Sequence, residues 1–303
     1  METLPCWSEI VNLSCLFFNR MRFFIRVSLI LLMLSACVRP FEFPMHSDRS
    51  DAGLNGPVQE MIRLDYEAVD SDTGLVAKYD EALVRTTCLF NESGTLLEQF
   101  VNMAPRAGGG EYRIFSILDD QLRVVEQEGG NPIEQDYFKH FNAYEQGRLV
   151  RQVLWEEGLE VTYSYDEIRR VVRAVAMSLD ESLLVWTKLQ EYNECGLLIY
   201  ELIVDNKENK LSELNQKFNS ENRLTLRVLG YPEDGEWVEE MTCYTYENDW
   251  LIQEETAYVG RDFSVITQYA DFDEQGNWRY ADVRDHSGVP FQVSFRRFRY
   301  FNK

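Results

Sequence analysis

Tyr192-Asn193-Glu194-Cys195-Gly196-Leu197-Leu198 is the stretch on which the fold turns. It reads aromatic, Asn or Asp, Glu, any residue, Gly, any residue, apolar. The order recurs in Phe90-Asn91-Glu92-Ser93-Gly94-Thr95-Leu96 and in Phe272-Asp273-Glu274-Gln275-Gly276-Asn277-Trp278. Tyr165-Asp166-Glu167-Ile168-Arg169-Arg170-Val171 and Phe218-Asn219-Ser220-Glu221-Asn222-Arg223-Leu224 keep it without the glycine. Two shorter copies are Tyr144-Glu145-Gln146-Gly147-Arg148-Leu149 and Tyr246-Glu247-Asn248-Asp249-Trp250-Leu251, and Ile117-Leu118-Asp119-Asp120-Gln121-Leu122 is a degenerate one. The first residues stand at 90, 117, 144, 165, 192, 218, 246 and 272, so every interval but one is 26 to 28 residues. A nearly fixed period of this size means an array of one supersecondary unit.

The unit reads as a β-hairpin. Asn or Asp opens a turn through its side chain, and Gly late in the turn supplies positive φ. Gly94, Gly147, Gly196 and Gly276 are therefore structural turn residues. Leu159-Glu160-Val161-Thr162-Tyr163-Ser164-Tyr165 alternates with period two, placing Val161, Tyr163 and Tyr165 on one face. A second set of turn signals follows the motif turns: Pro105–Gly110, Gly129–Pro132, Glu156–Gly158, Leu179–Ser182, Asp205–Asn209, Pro232–Gly235, Val259–Asp262 and Asp285–Gly288. Each repeat is then strand, motif turn, strand, second turn, with strands of about 8–10 residues. Motif turns line one edge of the sheet and second turns the other. The expected fold is all-β: antiparallel repeated hairpins in a strongly curled sheet or incomplete barrel, since open edges need cover.

Upstream the chain changes character. Met21-Arg22-Phe23-Phe24-Ile25-Arg26 is a basic start, and Val27 to Ala36 is an apolar run too short to span a bilayer. It ends in Leu34-Ser35-Ala36-Cys37, which resembles the lipobox of bacterial lipoproteins, where cleavage precedes a Cys that carries diacylglycerol. Glu2 and Glu9 do not suit a signal start, so residues 1–20 read as an extension ahead of the true initiator, 21–36 as a lipoprotein signal peptide, 37–57 as lipidated Cys and flexible tether, and 58–303 as the repeat domain. Cys37 is the lipidation site. Several acyl chains on one Cys give stable membrane attachment.

Tyr163-Ser164-Tyr165-Asp166-Glu167 and Asp273-Glu274-Gln275-Gly276-Asn277-Trp278 resemble the tyrosine–aspartate (YD) repeats of Rhs-type proteins. Together with the lipobox and the final aromatic/Arg strand, they are similar to small Bacteroidetes cell-envelope lipoproteins carrying degenerate repeats of this kind. The resemblance covers about residues 79–300. It implies an antiparallel sheet that spirals or curls, and no catalytic activity. Loss of Gly at Arg169, Asn222 and Asp249 departs from standard YD repeats.

The net charge is −21 over 303 residues, and from Cys37 onward 27 Lys and Arg face 49 Asp and Glu. Such a surface neutralises no phosphate backbone, so nucleic acid is excluded as a partner. Cys88, Cys195 and Cys243 allow at most one internal disulfide. No Cys/His spacing suits zinc, and no cofactor signature is present. Asp271, Asp273, Gly276 and Asp282 mimic a calcium loop, but strand-like flanks make it a hairpin turn. His46, His140 and His286 stand in no catalytic motif.

The expected function is a non-catalytic envelope lipoprotein, a binding or structural module for glycan or protein, located at the outer membrane. The competing reading is a glycan-processing hydrolase using paired carboxylates, which 49 carboxylates cannot single out. A ligand surface is expected on the second-turn edge at Trp155, Trp186 and Trp237, whose flat rings suit sugars. The final strand alternates Phe291, Val293, Phe295 and then Phe298, Tyr300 on the opposite phase. That shift predicts a bulge near Arg296-Arg297 in a charged edge strand, or an anion site.

Overall fold

The computed structural model describes residues 48–71, 74–107, 109–131 and 136–301, and these belong to one compact unit. The extension, the signal peptide and Cys37 lie outside the described residues, as does most of the tether.

Local turn chemistry makes the hairpins. Asn193 Oδ1 accepts the backbone N–H groups of Cys195 and Leu197, both at 2.9 Å. Gly196 N–H donates to Asn193 O at 3.1 Å, and Asn193 N–H donates to Leu197 O at 2.9 Å, closing a five-residue loop. The same loop forms at Asp119, Asn219 and Asp273. Its fourth residue is left-handed: Gly196 at φ 80, Gly276 at φ 82, and, without glycine, Leu122 and Asn222 at φ 62. A leucine there stores strain of about 1–2 kcal/mol. The two short motif copies are two-residue turns, Gln146–Gly147 (φ 49 and 81) and Asn248–Asp249 (φ 48 and 74), whose twist matches the flanking strands. In the Tyr165 copy the left-handed residue is Arg170, at φ 57, one place beyond Arg169. Asp205 and Asp285 build the five-residue loop at the opposite end of the strands.

These turns connect 19 strands. The first seven are β1 (Val58–Ser71), β2 (Gly74–Ala77), β3 (Val84–Phe90), β4 (Leu96–Met103), β5 (Gly110–Leu118), β6 (Val124–Asn131) and β7 (Asp136–Glu145). Then come β8 (Arg148–Leu154), β9 (Leu159–Asp166), β10 (Val171–Ser178), β11 (Leu184–Tyr192), β12 (Leu198–Asp205) and β13 (Lys210–Phe218). The last are β14 (Leu224–Glu233), β15 (Glu236–Glu247), β16 (Trp250–Tyr258), β17 (Ser264–Phe272), β18 (Trp278–Asp285) and β19 (Pro290–Tyr300). The motif's aromatic position marks a register shift where the strand enters its turn, as at Phe90, Tyr144, Tyr192, Phe218 and Tyr246. Bulges of this kind increase local twist.

The sheet closes completely, which corrects the expectation of a curled sheet or incomplete barrel. β1 pairs antiparallel with β3 on one side, from Glu60↔Leu89 to Asp65↔Val84, and with β19 on the other, from Val58↔Tyr300 to Glu67↔Gln292. β2 pairs only with the far end of β1 as an outlying hairpin, leaving a ring of 18 antiparallel strands. Closure removes both edges, so β19 is not an edge strand: β18 and β1 flank it. A ring this wide leaves an interior space rather than a solid core.

The expected bulge at Arg296-Arg297 is also absent. Pairing runs unbroken from Glu60↔Arg299 to Glu67↔Gln292. The even residues Gln292, Ser294, Arg296, Phe298 and Tyr300 face inward throughout, and the odd ones outward. The sequence phase changes because polarity inverts along the strand. Toward the second-turn end the inside is polar and the outside carries Phe291, Val293 and Phe295; toward the motif-turn end the inside becomes aromatic. β1 does the same, with Arg63 and Asp65 inside and Leu64 and Tyr66 outside.

Residues 48–57, assigned by sequence to the tether, pack against the barrel. A short helix, α1 (Asp48–Asp51), leads to Ala52 and Leu54, which join Val58, Met61, Cys88 and Phe90 in a buried cluster with Phe298 and Tyr300. Asp48 accepts from Leu96 N–H at 2.6 Å, and Arg49 N–H donates to Gly94 O at 2.9 Å. These contacts hold the segment to the motif-turn end.

Most of the second turns lie where the sequence placed them. Two candidates overlap strands by more than an end residue: Gly129 to Asn131 lie in β6, with Gly129 opposite Phe138, and Pro232 lies in β14 opposite Trp237.

Candidate functional site

Inward alternation on β7, β9 and β11 gathers four tyrosines at the motif-turn end. Tyr144, Tyr163, Tyr165 and Tyr192 line a cavity of about 560 Å³, with Gln121, Arg123, Arg148, Leu149, Val172 and Gln190 around them. Each ring is fixed at its hydroxyl. Tyr144 donates to Val124 O at 3.0 Å, Tyr165 to Leu149 O at 2.7 Å, Tyr163 to Gln152 Oε1 at 3.1 Å and Tyr192 to Gln190 Oε1 at 3.4 Å. Burial pushes the Tyr163 and Tyr192 hydroxyls up to about 12, so both are neutral donors at physiological pH. Arg123 lies 4.8 Å from the Tyr144 ring centroid and Arg148 5.4 Å from that of Tyr165. Asp119 holds Arg123 at 2.6 Å and Glu167 holds Arg148 at 2.8 Å. The result is an aromatic floor with a polar rim, the composition of a site for a small neutral ring-shaped ligand.

The outer wall is different in kind. Arg113 on β5, Glu126 and Glu128 on β6, Lys139 on β7, Arg151 on β8, Glu160 on β9 and Arg173 on β10 all point outward. Lys139 Nζ lies 2.5 Å from Glu126 and 3.4 Å from Glu128, and Arg151 grips Glu160 with two donors at 2.8 and 2.7 Å. A Lys or Arg facing lipid at the bilayer midplane costs a barrel about 2–4 kcal/mol. The same face also exposes Phe115, Ile117 and Phe141, so ion pairs and apolar side chains share this stretch of wall.

The three tryptophans do not form one surface. Trp155, 63% exposed, projects from the turn between β8 and β9. Trp186 faces inward opposite Ala176 and packs against the buried Val161, Ala174 and Ala176. Trp237 faces outward, its indole within 2.4 Å of where a Cβ on Gly230 would stand. All three lie toward the second-turn end, but Trp155 is in a turn, Trp186 on the inner side of β11 and Trp237 on the outer side of β15. Sequence alternation did carry the signal for the tyrosine cavity, since it placed Tyr163 and Tyr165 together with Val161; it did not place them beside Tyr144 and Tyr192, which requires closure.

The other candidates are turn or packing residues. Gly94 (φ 93), Gly147 (φ 81), Gly196 and Gly276 hold the left-handed positions expected of them. Asp273, in the calcium-loop mimic, spends Oδ1 on Gln275 and Asn277 N–H. No group of three or more His, Cys, Asp or Glu among the described residues is arranged to hold a metal ion. Cys88, Cys195 and Cys243 are all free; Cys195 is exposed in its turn, and burial pushes the Cys88 thiol up to about 11. His140 lies inside against Phe138, ring centroids 4.8 Å apart.

No family model and no curated protein matches the chain. Among solved structures, a porin-like protein from Bacteroides uniformis is similar at 10% identity over 86% of this chain and 100% of that one, with a TM-score of 0.43. TcdB2-TccC3 without its hypervariable C-terminal region is similar at 12% identity over 74% of this chain and 15% of that one, with a TM-score of 0.30. The closure of the barrel rests on the two-sided pairing of β1, independently of either likeness.

Proposed function

We propose that the chain is a non-catalytic binding module of a bacterial cell envelope: a barrel, tethered to the outer membrane through lipid on Cys37, that takes a glycan into the tyrosine-lined cavity. The observation that carries this reading is the 560 Å³ cavity with its four inward tyrosines and side-chain amides. Rings offer stacking faces to a sugar, and Gln121 offers both a donor and an acceptor to its hydroxyls, while Gln190, whose Nε2 donates to Glu201 at 2.7 Å and whose Oε1 accepts from Tyr192, keeps one N–H and one lone pair for them. The outward Lys and Arg favour tethering over insertion, and the Leu34–Cys37 sequence supplies the tether. The site thus lies at the motif-turn end, not at the second-turn edge expected from the tryptophans.

A glycan array run beside a turnover assay on the same polysaccharides tests the function. Binding without turnover is expected, and Gln190→Ala should weaken it about five- to tenfold, the worth of one hydrogen bond. Release of reducing ends would replace this reading with a hydrolase. The anchor has its own test. Metabolic labelling with a fatty acid should mark the wild-type protein, and Cys37→Ala should lose the label; a labelled variant would sink the tether.

A further inference from the structure

A second cavity, of about 520 Å³, lies inside the barrel beside β1, β3 and β19, and Arg63, Asp65, Thr86, Gln99 and Arg296 help line it. Arg63 and Arg296 stand directly opposite each other in the β1–β19 register. Like charges so placed destabilise a strand pair. Arg63 has its own counter-ion: its Nε donates to Asp65 Oδ1 at 2.8 Å, and Asp65 also accepts from Ser294 Oγ at 2.6 Å. No carboxylate among the described residues lies within ion-pair distance of Arg296. Its guanidinium instead covers the Trp278 ring, 3.7 Å from the centroid, and its Nε is buried without a hydrogen-bond partner.

A buried guanidinium with unmade hydrogen bonds is unfavourable unless something completes it. Burial and then the neighbouring Arg63 pull Arg296 down to about 10, against the opposing pull of Tyr269 and Asp65, which still leaves it charged at neutral pH. Glu254, a nearby inward carboxyl, is raised by burial against the lowering effect of its Tyr269 hydrogen bond and of Arg296, and it too stands beyond ion-pair distance of Arg296. Contact with the Trp278 ring holds the guanidinium in place beside the cavity.

We propose that Arg63 and Arg296 form the cationic half of a binding site for an oxyanion, the carboxylate, sulfate or phosphate group of a small ligand, inside this cavity. A planar fork of donors matches such groups two oxygens at a time. Thr86, paired with Arg63 across β1 and β3, and Gln99 on β4 supply neutral donors from the adjoining strands. The site is separate from the tyrosine cavity, and its existence does not depend on glycan binding there.

The test follows melting temperature and calorimetric titration with sulfate, phosphate and glucuronate, each against chloride at matched ionic strength. At least one oxyanion should raise the melting temperature saturably while chloride does not. Arg296→Met and Arg63→Met should each weaken its binding about tenfold or more. Arg297→Met, on the outer face of the same strand, should leave it unchanged. Preference for glucuronate identifies a planar carboxylate such as that of an acidic sugar; preference for sulfate or phosphate identifies a tetrahedral anion. The proposal is overturned if no oxyanion exceeds chloride, or if Arg297→Met weakens binding as much as Arg296→Met does. Should Arg296→Met fail to fold, Arg296→Lys decides: it keeps the charge but loses the forked edge, and undiminished affinity in that variant overturns the site.

Discussion

Asn277→Ala is expected to lower the unfolding free energy by about 3 kcal/mol, as three hydrogen bonds to a buried amide disappear and leave their partners unmade. Asn277 is 1% exposed. Its Oδ1 accepts from Asn55 N–H at 2.6 Å, and its Nδ2 donates to Asn55 O and to Tyr300 Oη, both at 2.9 Å. Tyr300 in turn donates to Asp273, the residue that organises the same turn. One side chain therefore ties the segment before β1 to the turn between β17 and β18 and to the end of β19. That is where the ring closes, since β1 and β19 pair from Val58↔Tyr300 onward. Asn209, whose amide bonds only to Asp205 at 2.8 Å on an exposed turn, provides the contrast. Its change to alanine should cost under about 1 kcal/mol. Urea midpoints of the two variants measure the difference. Limited proteolysis should also cut near Asn55 sooner in Asn277→Ala. Equal midpoints would mean that the closure does not depend on this residue.

The contrast between what the sequence disclosed and what it withheld follows the range of the forces involved. Turns such as Asn193–Leu197 are made by a side chain bonding to backbone two and four residues away, so the pattern that encodes them is contiguous. Strand alternation is equally local, and Val161, Tyr163 and Tyr165 share a face as read. Closure is not local. β1 lacks the motif, and its partner β19 lies more than two hundred residues away, for example Asp65↔Ser294. Nothing in the repeat spacing says whether the first and last strands meet. Polarity inversion along β19 was misread for a related reason. Alternation tells which residues share a face, but only a closed ring defines inside and outside, and here the apolar side changes from one to the other along a single strand. The tyrosine cavity was half legible for the same cause: each tyrosine's face was set by its own strand, while their convergence was set by the ring. The second cavity was harder still, because Arg63 and Arg296 meet only through the closing pair of strands.

Gly129→Ala is expected to cost about 3 kcal/mol, at the upper end for overpacking, even though alanine is ordinarily the better strand residue. Gly129 falls in the Gly129–Pro132 stretch that reads as a second turn, yet it lies in β6 between Ile114 and Phe138. A glycine inside a strand marks a close approach by other atoms. Here a Cβ would stand 2.4 Å from Arg113 O and 2.7 Å from Phe138 Cε1. The carbonyl belongs to the β5 backbone and cannot retreat without disturbing the pairing of β5 with β6. Nor has the ring much freedom, with Tyr112 stacked at 6.5 Å on one side and His140 at 4.8 Å on the other. Gly230→Ala is the informative comparison. Its Cβ would stand equally close, 2.4 Å, but to Trp237 Cζ2, and that indole is 40% exposed on the outer wall. Trp237 can swing toward solvent, so this change should cost only about 1 kcal/mol. Adding Phe138→Leu to Gly129→Ala should recover little, because it leaves the Arg113 carbonyl in place. Urea denaturation of the three variants separates the two causes. If Gly129→Ala and Gly230→Ala prove equally costly, or Phe138→Leu restores stability, the displaced ring rather than the backbone sets the penalty, and the interior near β6 is looser than a fixed wall requires.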